Sequence, residues 1–257
     1  MFHTKRTKQM QELTDINTFF FVDETKFSLN NNDIEDSIYY LAVSVKKREV
    51  QKINQQYDSI ILKFDLKNGF HASRVFKEKN PNKDLMQAFC DLIISNSLKC
   101  YCFRYSKSKL YEGSKKAFLK LNNELFDFKN QEFQALFYFV QNLISHLNEN
   151  EEFEPKGLLF FDRNVYGQSD SEAFEFNETD VVKRMVFLSK SKIKLIGLPD
   201  YFGYIFRIAK ISQNKGELGN MLNKKSELVT NCYDCLLKIV ESKLFCFLDV
   251  DKWLESK

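Results

Sequence analysis

Two short apolar runs in this chain stop at carboxylates: Phe19-Phe20-Phe21-Val22 leads into Asp23-Glu24, and Leu158-Leu159-Phe160-Phe161 leads into Asp162. Uninterrupted apolar runs of this length read as strands covered on both faces, so they restrict the chain to folds built on a buried sheet. An acid at the end of such a strand puts charge at the sheet rim, where it must be hydrated, paired or bound to a metal. A third acid, Asp200, follows Pro199 just after the apolar run Leu195 to Leu198. Three acids at the rim of one sheet suggest a divalent-metal site. The other reading of the same residues is a set of charged strand ends and a helix-cap charge.

An apolar content of 44% over 257 residues is enough for a substantial core. Phe is abundant at 26 residues, whereas 8 Gly and 3 Pro leave little material for glycine-rich loops. Neither a glycine-spaced dinucleotide fingerprint nor a lysine-bearing phosphate loop is present, which argues against nucleotide-dependent hydride or phosphoryl transfer. The net charge of +3 is too small for totals to imply a polyanion partner. Any basic patch must be local, as at Lys46-Lys47-Arg48, Lys115-Lys116, Lys183-Arg184 and the Lys190/Lys192/Lys194 alternation. No stretch approaches the ~18 apolar residues of a membrane span, and Met1 to Met10 is polar and basic. The expectation is a cytoplasmic protein without a membrane partner. Its six cysteines sit beside apolar neighbours, and Cys232-Tyr233-Asp234-Cys235 reads as buried small side chains rather than half of a zinc knuckle.

Patterning gives an order of elements. Residues 1–15 form a polar lead-in, Thr18 to Asp23 a first strand, Ser28 to Asp36 a hairpin loop, and Ile38 to Val45 a second, antiparallel strand. Ile60 to Phe64 is predicted as a third strand of the meander. Pro81 opens a helix with Leu85, Phe89, Leu92 and Ile93 on one face, followed by a strand over Lys99 to Tyr105. Asn130 to Asn148 carries the longest helical stripe, and Pro155-Lys156-Gly157 introduces the second acid-tipped strand. Order resumes at Val181 to Leu188 after a polar stretch. Lys192 to Leu198 is then expected as a strand, ahead of a helix opened by Pro199 and Asp200 and running through Tyr204, Ile208 and Ile211. Helices over Met221 to Ser242 and near the end complete the prediction. A meander followed by alternating helices and strands describes an α/β fold with a ribonuclease-H-like mixed sheet over residues 16–214, with 215–257 as a helical extension packed on the same domain.

At this point the residues resemble the domain of unknown function 3800 family of ribonuclease-H-like proteins. The resemblance lies in Phe21-Val22-Asp23-Glu24-Thr25, Tyr39 to Val43, the histidine segment Phe70-His71-Ala72-Ser73, Leu159 to Asp162, and Ile196-Gly197-Leu198-Pro199-Asp200-Tyr201-Phe202-Gly203. It spans roughly Phe19 to Arg207. Thr25 and Lys26 stand where the family usually has Ser-Gly, Pro199 where a small residue is common, and Gly69 where a further acid often falls.

The resemblance implies a metal-dependent nuclease or nuclease-like protein that hydrolyses phosphodiester bonds of RNA or DNA, in nucleic-acid processing or defence against foreign genomes. Such hydrolysis uses hard oxygen ligands around two Mg²⁺ or Mn²⁺ ions about 4 Å apart. Asp23, Asp162 and Asp200 are the expected catalytic carboxylates, and Asp23, Glu24, Asp162 and Asp200 the metal ligands, with Asp65 a further candidate. His71 is expected to position water or move a proton. Lys190, Lys192 and Arg207 are expected to meet phosphates. The alternative is a catalytically degenerate ribonuclease-H-like module that binds a protein partner or a second copy of itself through the C-terminal helices. A serine hydrolase built on Ser73 and His71 is not expected, since no nucleophile elbow surrounds either residue.

Overall fold

Thr18–Phe27 (β1) and Ser37–Lys46 (β2) pair antiparallel along their full length, so the first strand does not stop at Asp23 as expected but runs on to Phe27, held by its pairing with β2. The computed structural model describes residues 16–27, 37–66, 70–77, 79–106, 131–149, 156–162, 172–175, 181–189, 191–214 and 226–249. The expected hairpin loop at Ser28 to Asp36 and the lead-in lie outside them.

The remaining elements are helices Val50–Lys63 (α1), Ala72–Val75 (α2) and Lys83–Ser95 (α3), strand Cys100–Ser106 (β3), helix Gln131–Asn148 (α4), and strands Gly157–Asp162 (β4), Glu172–Glu175 (β5) and Val182–Leu188 (β6). Helices Gly197–Asn214 (α5) and Glu227–Glu241 (α6) and strand Phe245–Asp249 (β7) follow. The strands form one seven-stranded mixed sheet in the order β5-β6-β4-β1-β2-β3-β7. β1, β2 and β3 are an antiparallel meander, β4 runs parallel to β1 and β6 parallel to β4. β7 runs parallel to β3, and β5 antiparallel to β6. The chain is thus an α/β protein.

β2 shows why both faces are covered. Tyr39, Leu41, Val43 and Val45 enter one core with α1, α3, α5 and α6, while Ile38, Tyr40 and Ala42 enter the other with α4. The α4 stripe of Leu136, Phe139, Val140, Leu143 and Leu147 closes the second face, as its period requires. Tyr40 stacks on Phe139 at 5.2 Å, and Phe103 meets the same ring edge-on at 5.3 Å.

Three further expectations are corrected. Ile60 to Lys63 is the last turn of α1, with Phe64 as its C-cap, and not a strand: Ile53 and Tyr57 are buried one turn apart, and Leu62, which would share a strand face with Ile60 and Phe64, is 79% exposed. The third meander strand is β3. Lys192 to Leu198 is likewise no strand, because Lys194–Ile196 is a turn of 3-10 helix and Gly197 begins α5. Leu195, Ile196, Leu198, Tyr201, Phe202 and Ile205 are all buried, so the helical period starts ahead of Pro199 and overrides the short basic-apolar alternation. Near the end, where a helix is expected, Phe245–Asp249 is β7, and residues 250–257 lie outside the described residues. Phe245 packs edge-on against Phe202 at 5.4 Å, so the C-terminal part adds a strand to the sheet as well as a helix to one face. The Gly-containing break expected at Asn214 to Asn220 lies mostly outside the described residues.

Candidate functional site

The register of the central strands brings two of the three acids side by side. β1 and β4 are parallel with Val22 opposite Phe161, and one residue further on each strand are Asp23 and Asp162. Alternation sends both to the side of Phe21 and Phe160, whose rings stack at 5.5 Å beneath them. Asp162 is 7% exposed although it ends its strand.

The third acid arrives on α5. Asp200 lies in the first turn, where the positive helix end favours a carboxylate. Gly203, on the same face, lets the helix approach β2: a Cβ there would stand 3.0 Å from Leu41 Cδ1. Gly197 serves a similar purpose at the helix start, where a Cβ would collide with the Tyr57 hydroxyl of α1. Burial, reinforced by the charges of Asp200 and Asp58, pushes the Tyr57 phenol well above its usual value, so it stays neutral beside the acid. An exposed ion pair, Lys194 Nζ to the Asp58 carboxylate at 2.8 and 2.9 Å, also ties the start of α5 to α1. Being on the surface, it contributes at most about 1 kcal/mol.

These elements enclose a cavity of about 320 Å³ lined by Asp23, Glu24, Asp162, Asp200, His71 and Arg207, with Thr25, Leu41, Ser73, Pro199, Gly203 and Tyr204 completing the wall. The cavity therefore gathers every expected carboxylate except Asp65, together with the expected histidine. Asp65 follows α1 in a left-handed conformation with φ 52° and does not line it. Nor does Lys192, while Lys190 and Gly69 lie outside the described residues. Tyr204 and Thr25 are wall residues that the motif reading passed over. Helical spacing carried the signal for Tyr204, which stands four residues after Asp200 and three before Arg207.

Asp200 Oδ2 accepts a hydrogen bond from the Ala72 amide at 3.0 Å and lies 3.5 Å from His71 Nδ1. Ser73 Oγ lies 3.2 Å from that same nitrogen. A serine-histidine-acid relay needs serine and acid on opposite ring nitrogens. Here both fall on Nδ1, so the three residues do not form that relay. Arg207 has its guanidinium 5.7 Å from the centre of the Tyr204 ring. The Tyr204 phenol, pushed up to about 12 chiefly by burial, donates to the Phe76 carbonyl at 2.9 Å and is held neutral.

By donor type the carboxylates suit a hard divalent cation. Among the described residues, no three His, Cys, Asp or Glu side chains are drawn together closely enough to form a coordination shell; the acids border one cavity without closing on a point. Five of the six cysteines are buried and Cys246 is half-buried: Cys235 of α6 packs against Cys90 of α3, whose Sγ lies 3.6 Å from the Cys235 carbonyl, and burial pushes the Cys100, Cys102 and Cys232 thiols up. Among the described residues no helix is long and apolar enough to cross a membrane. No family model, curated protein or solved structure matches the chain.

Proposed function

We propose that this protein is a ribonuclease-H-like, metal-dependent nuclease that hydrolyses phosphodiester bonds of RNA or DNA at the carboxylate-lined cavity. The observation that carries this reading is the meeting of Asp23, Glu24, Asp162 and Asp200 at one cavity, from three elements far apart in sequence. The connectivity supports the fold assignment, since an antiparallel meander whose first strand is extended by parallel β4 and β6 is the arrangement expected of such a sheet. The four carboxylates would hold Mg²⁺ or Mn²⁺. Such a cation supplies an activated water and neutralises charge that develops on the phosphate.

The chain's own groups have separable tasks. The Ala72 amide fixes one Asp200 oxygen, so the carboxylate keeps its aim while its other oxygen stays available. His71, with a side chain 41% exposed, can pass a proton between the cavity and solvent. Arg207 offsets the negative wall and offers a fork of donors to a phosphate.

The test is incubation of labelled single-stranded RNA, single-stranded DNA and RNA–DNA hybrid with the protein and Mn²⁺, beside Asp23→Asn and Asp162→Asn. Cleavage by the wild type is expected to fall by about a hundred-fold or more in both variants, since even groups behind metal ligands cost about 10–100-fold. Cleavage that survives both substitutions, or no cleavage of any substrate, overturns the reading.

Two observations favour a second reading, a non-catalytic module of the same fold. The described carboxylates do not form a coordination shell, and α6 leaves Leu237 at 40% and Val240 at 44% exposure for a protein partner or a second copy. Under that reading neither cleavage nor a metal-dependent rise in melting temperature is observed, and Leu237→Glu disrupts self-association.

A further inference from the structure

α5 links the cavity to the edge of the sheet. Asp23 stands opposite Leu41, Leu41 opposite Cys102, and Cys102 opposite Phe247, so one cross-strand row joins the acid-bearing rim to the edge strand β7. α5 crosses the sheet along this row: Gly203 rests on Leu41, Phe206 stacks on Phe247 at 6.0 Å, and Lys210 Nζ lies 5.9 Å from the centre of the Phe247 ring. Two rulers agree on the length. Three inter-strand steps measure about 14 Å, and the ten residues from Asp200 to Lys210 rise about 15 Å along a helix.

What lies along that path suits a polyanion with flat rings. Arg207 belongs to the cavity wall, and Lys210 follows it one turn later. Phe247 is 42% exposed at the sheet edge, and of the large apolar side chains exposed among the described residues it alone is aromatic. A core phenylalanine would be covered. One beside an ammonium group, in line with a phosphate-directed arginine, has the composition of a stacking platform on a basic track.

We propose that a single-stranded nucleic acid occupies this track, with its phosphates over Arg207 and Lys210 and a base stacked on Phe247, so that the strand leaves the cavity along α5 towards β7. This inference rests on the reading of the cavity as a nuclease site and adds a substrate class to it. A duplex is disfavoured because a base within it has no free face to offer the ring.

The experiment is fluorescence anisotropy in EDTA, so that binding is read without cleavage, using a labelled trinucleotide, a labelled single-stranded dodecamer and the corresponding duplex. Phe247→Ala is expected to weaken dodecamer binding on the order of ten-fold, and Phe247→Trp to retain it. Lys210→Ala is expected to weaken it several-fold and to lower the salt dependence by about one phosphate contact. Trinucleotide binding stays unchanged in all three. The proposal falls if the dodecamer binds Phe247→Ala and Lys210→Ala as well as wild type, or if the duplex binds as tightly as the single strand and loses as much in the variants. It falls equally if Phe247→Ala abolishes self-association and leaves strand affinity intact, which would make β7 a protein interface. Each outcome is independent of the cleavage assay: intact Asp23-dependent cleavage with indifferent Phe247 and Lys210 removes the track and keeps the nuclease reading. Metal-free strand binding that needs Phe247, without cleavage, keeps the track and removes the chemistry.

Discussion

Gly197 and Tyr57 form the tightest side-chain constraint near the candidate site, because α5 can start where it does only if residue 197 has no Cβ beside the Tyr57 hydroxyl. Gly197→Ala is expected to cost about 1–3 kcal/mol, the usual range for overpacking. Tyr57→Phe added to it should recover part of that loss, so urea denaturation of the two single variants and the double variant should give a favourable coupling; additive losses would contradict the contact. His146 gives a second prediction at this scale. Its Nε2 lies 3.3 Å from Cys246 Sγ, and burial lowers its pKa below the ordinary 6.5, against an opposing pull from Glu149. The unfolded chain therefore takes up this proton more readily than the folded one. Stability from this residue is complete above the unfolded value and is lost as pH falls through the lower folded value. Melting temperatures between about pH 7 and pH 5 should fall less steeply in His146→Gln than in the wild type.

At the scale of elements, α1 and the start of α5 were misread for the same reason. A run such as Ile60-Ile61-Leu62-Lys63-Phe64 satisfies a strand locally, and only the preceding Ile53 and Tyr57 reveal the longer period. The two assignments predict opposite mutational patterns. For the helix, Ile53→Ala should cost about 2–5 kcal/mol and Leu62→Lys less than about 0.5 kcal/mol. A strand at this place would make Leu62 the sensitive position, and a denaturant melt of both variants separates the two. Elements with an unambiguous stripe were legible: α3 and α4 match their predicted spans to within a few residues, because several apolar anchors repeat over three or more turns. β7 was hidden because Phe245 to Asp249 is too short to show a period, and its strand character depends on the edge that β3 offers it.

For the whole molecule, the sheet order decides what the site can be. β1 lies between β2 and β4, so Asp23, where the pairing with β4 ends, meets the parallel neighbour on one side and the helix that crosses β2 above. If these carboxylates hold a divalent cation, millimolar Mn²⁺ should raise the melting temperature of the wild type, and the rise should disappear in Asp23→Asn and Asp162→Asn. An equal rise in all three proteins would place the ion elsewhere. Scanning fluorimetry with and without EDTA makes the measurement. Of the expected site, the acids Asp23, Glu24, Asp162 and Asp200 are legible from residue type and local setting, Arg207 from its charge and His71 from the family resemblance, and all six line one cavity. Tyr204 and Thr25 carry no chemistry that marks them in isolation, and the charge of Lys192 or Asp65 does not reveal which way its element faces.

Local chemistry in the sequence determined which apolar runs lead into acids, which helices carry a core stripe and that Pro199 and Asp200 lie in the first turn of a helix, since these depend on neighbours a few residues apart. Only the tertiary structure decided that β4 enters beside β1 in a register that sets Asp162 next to Asp23, and that α5 lies low enough over Leu41 to bring Asp200 to them. Strand partners and helix crossings depend on how two whole faces pack, and residues more than a hundred positions apart leave no trace of that choice in any local window.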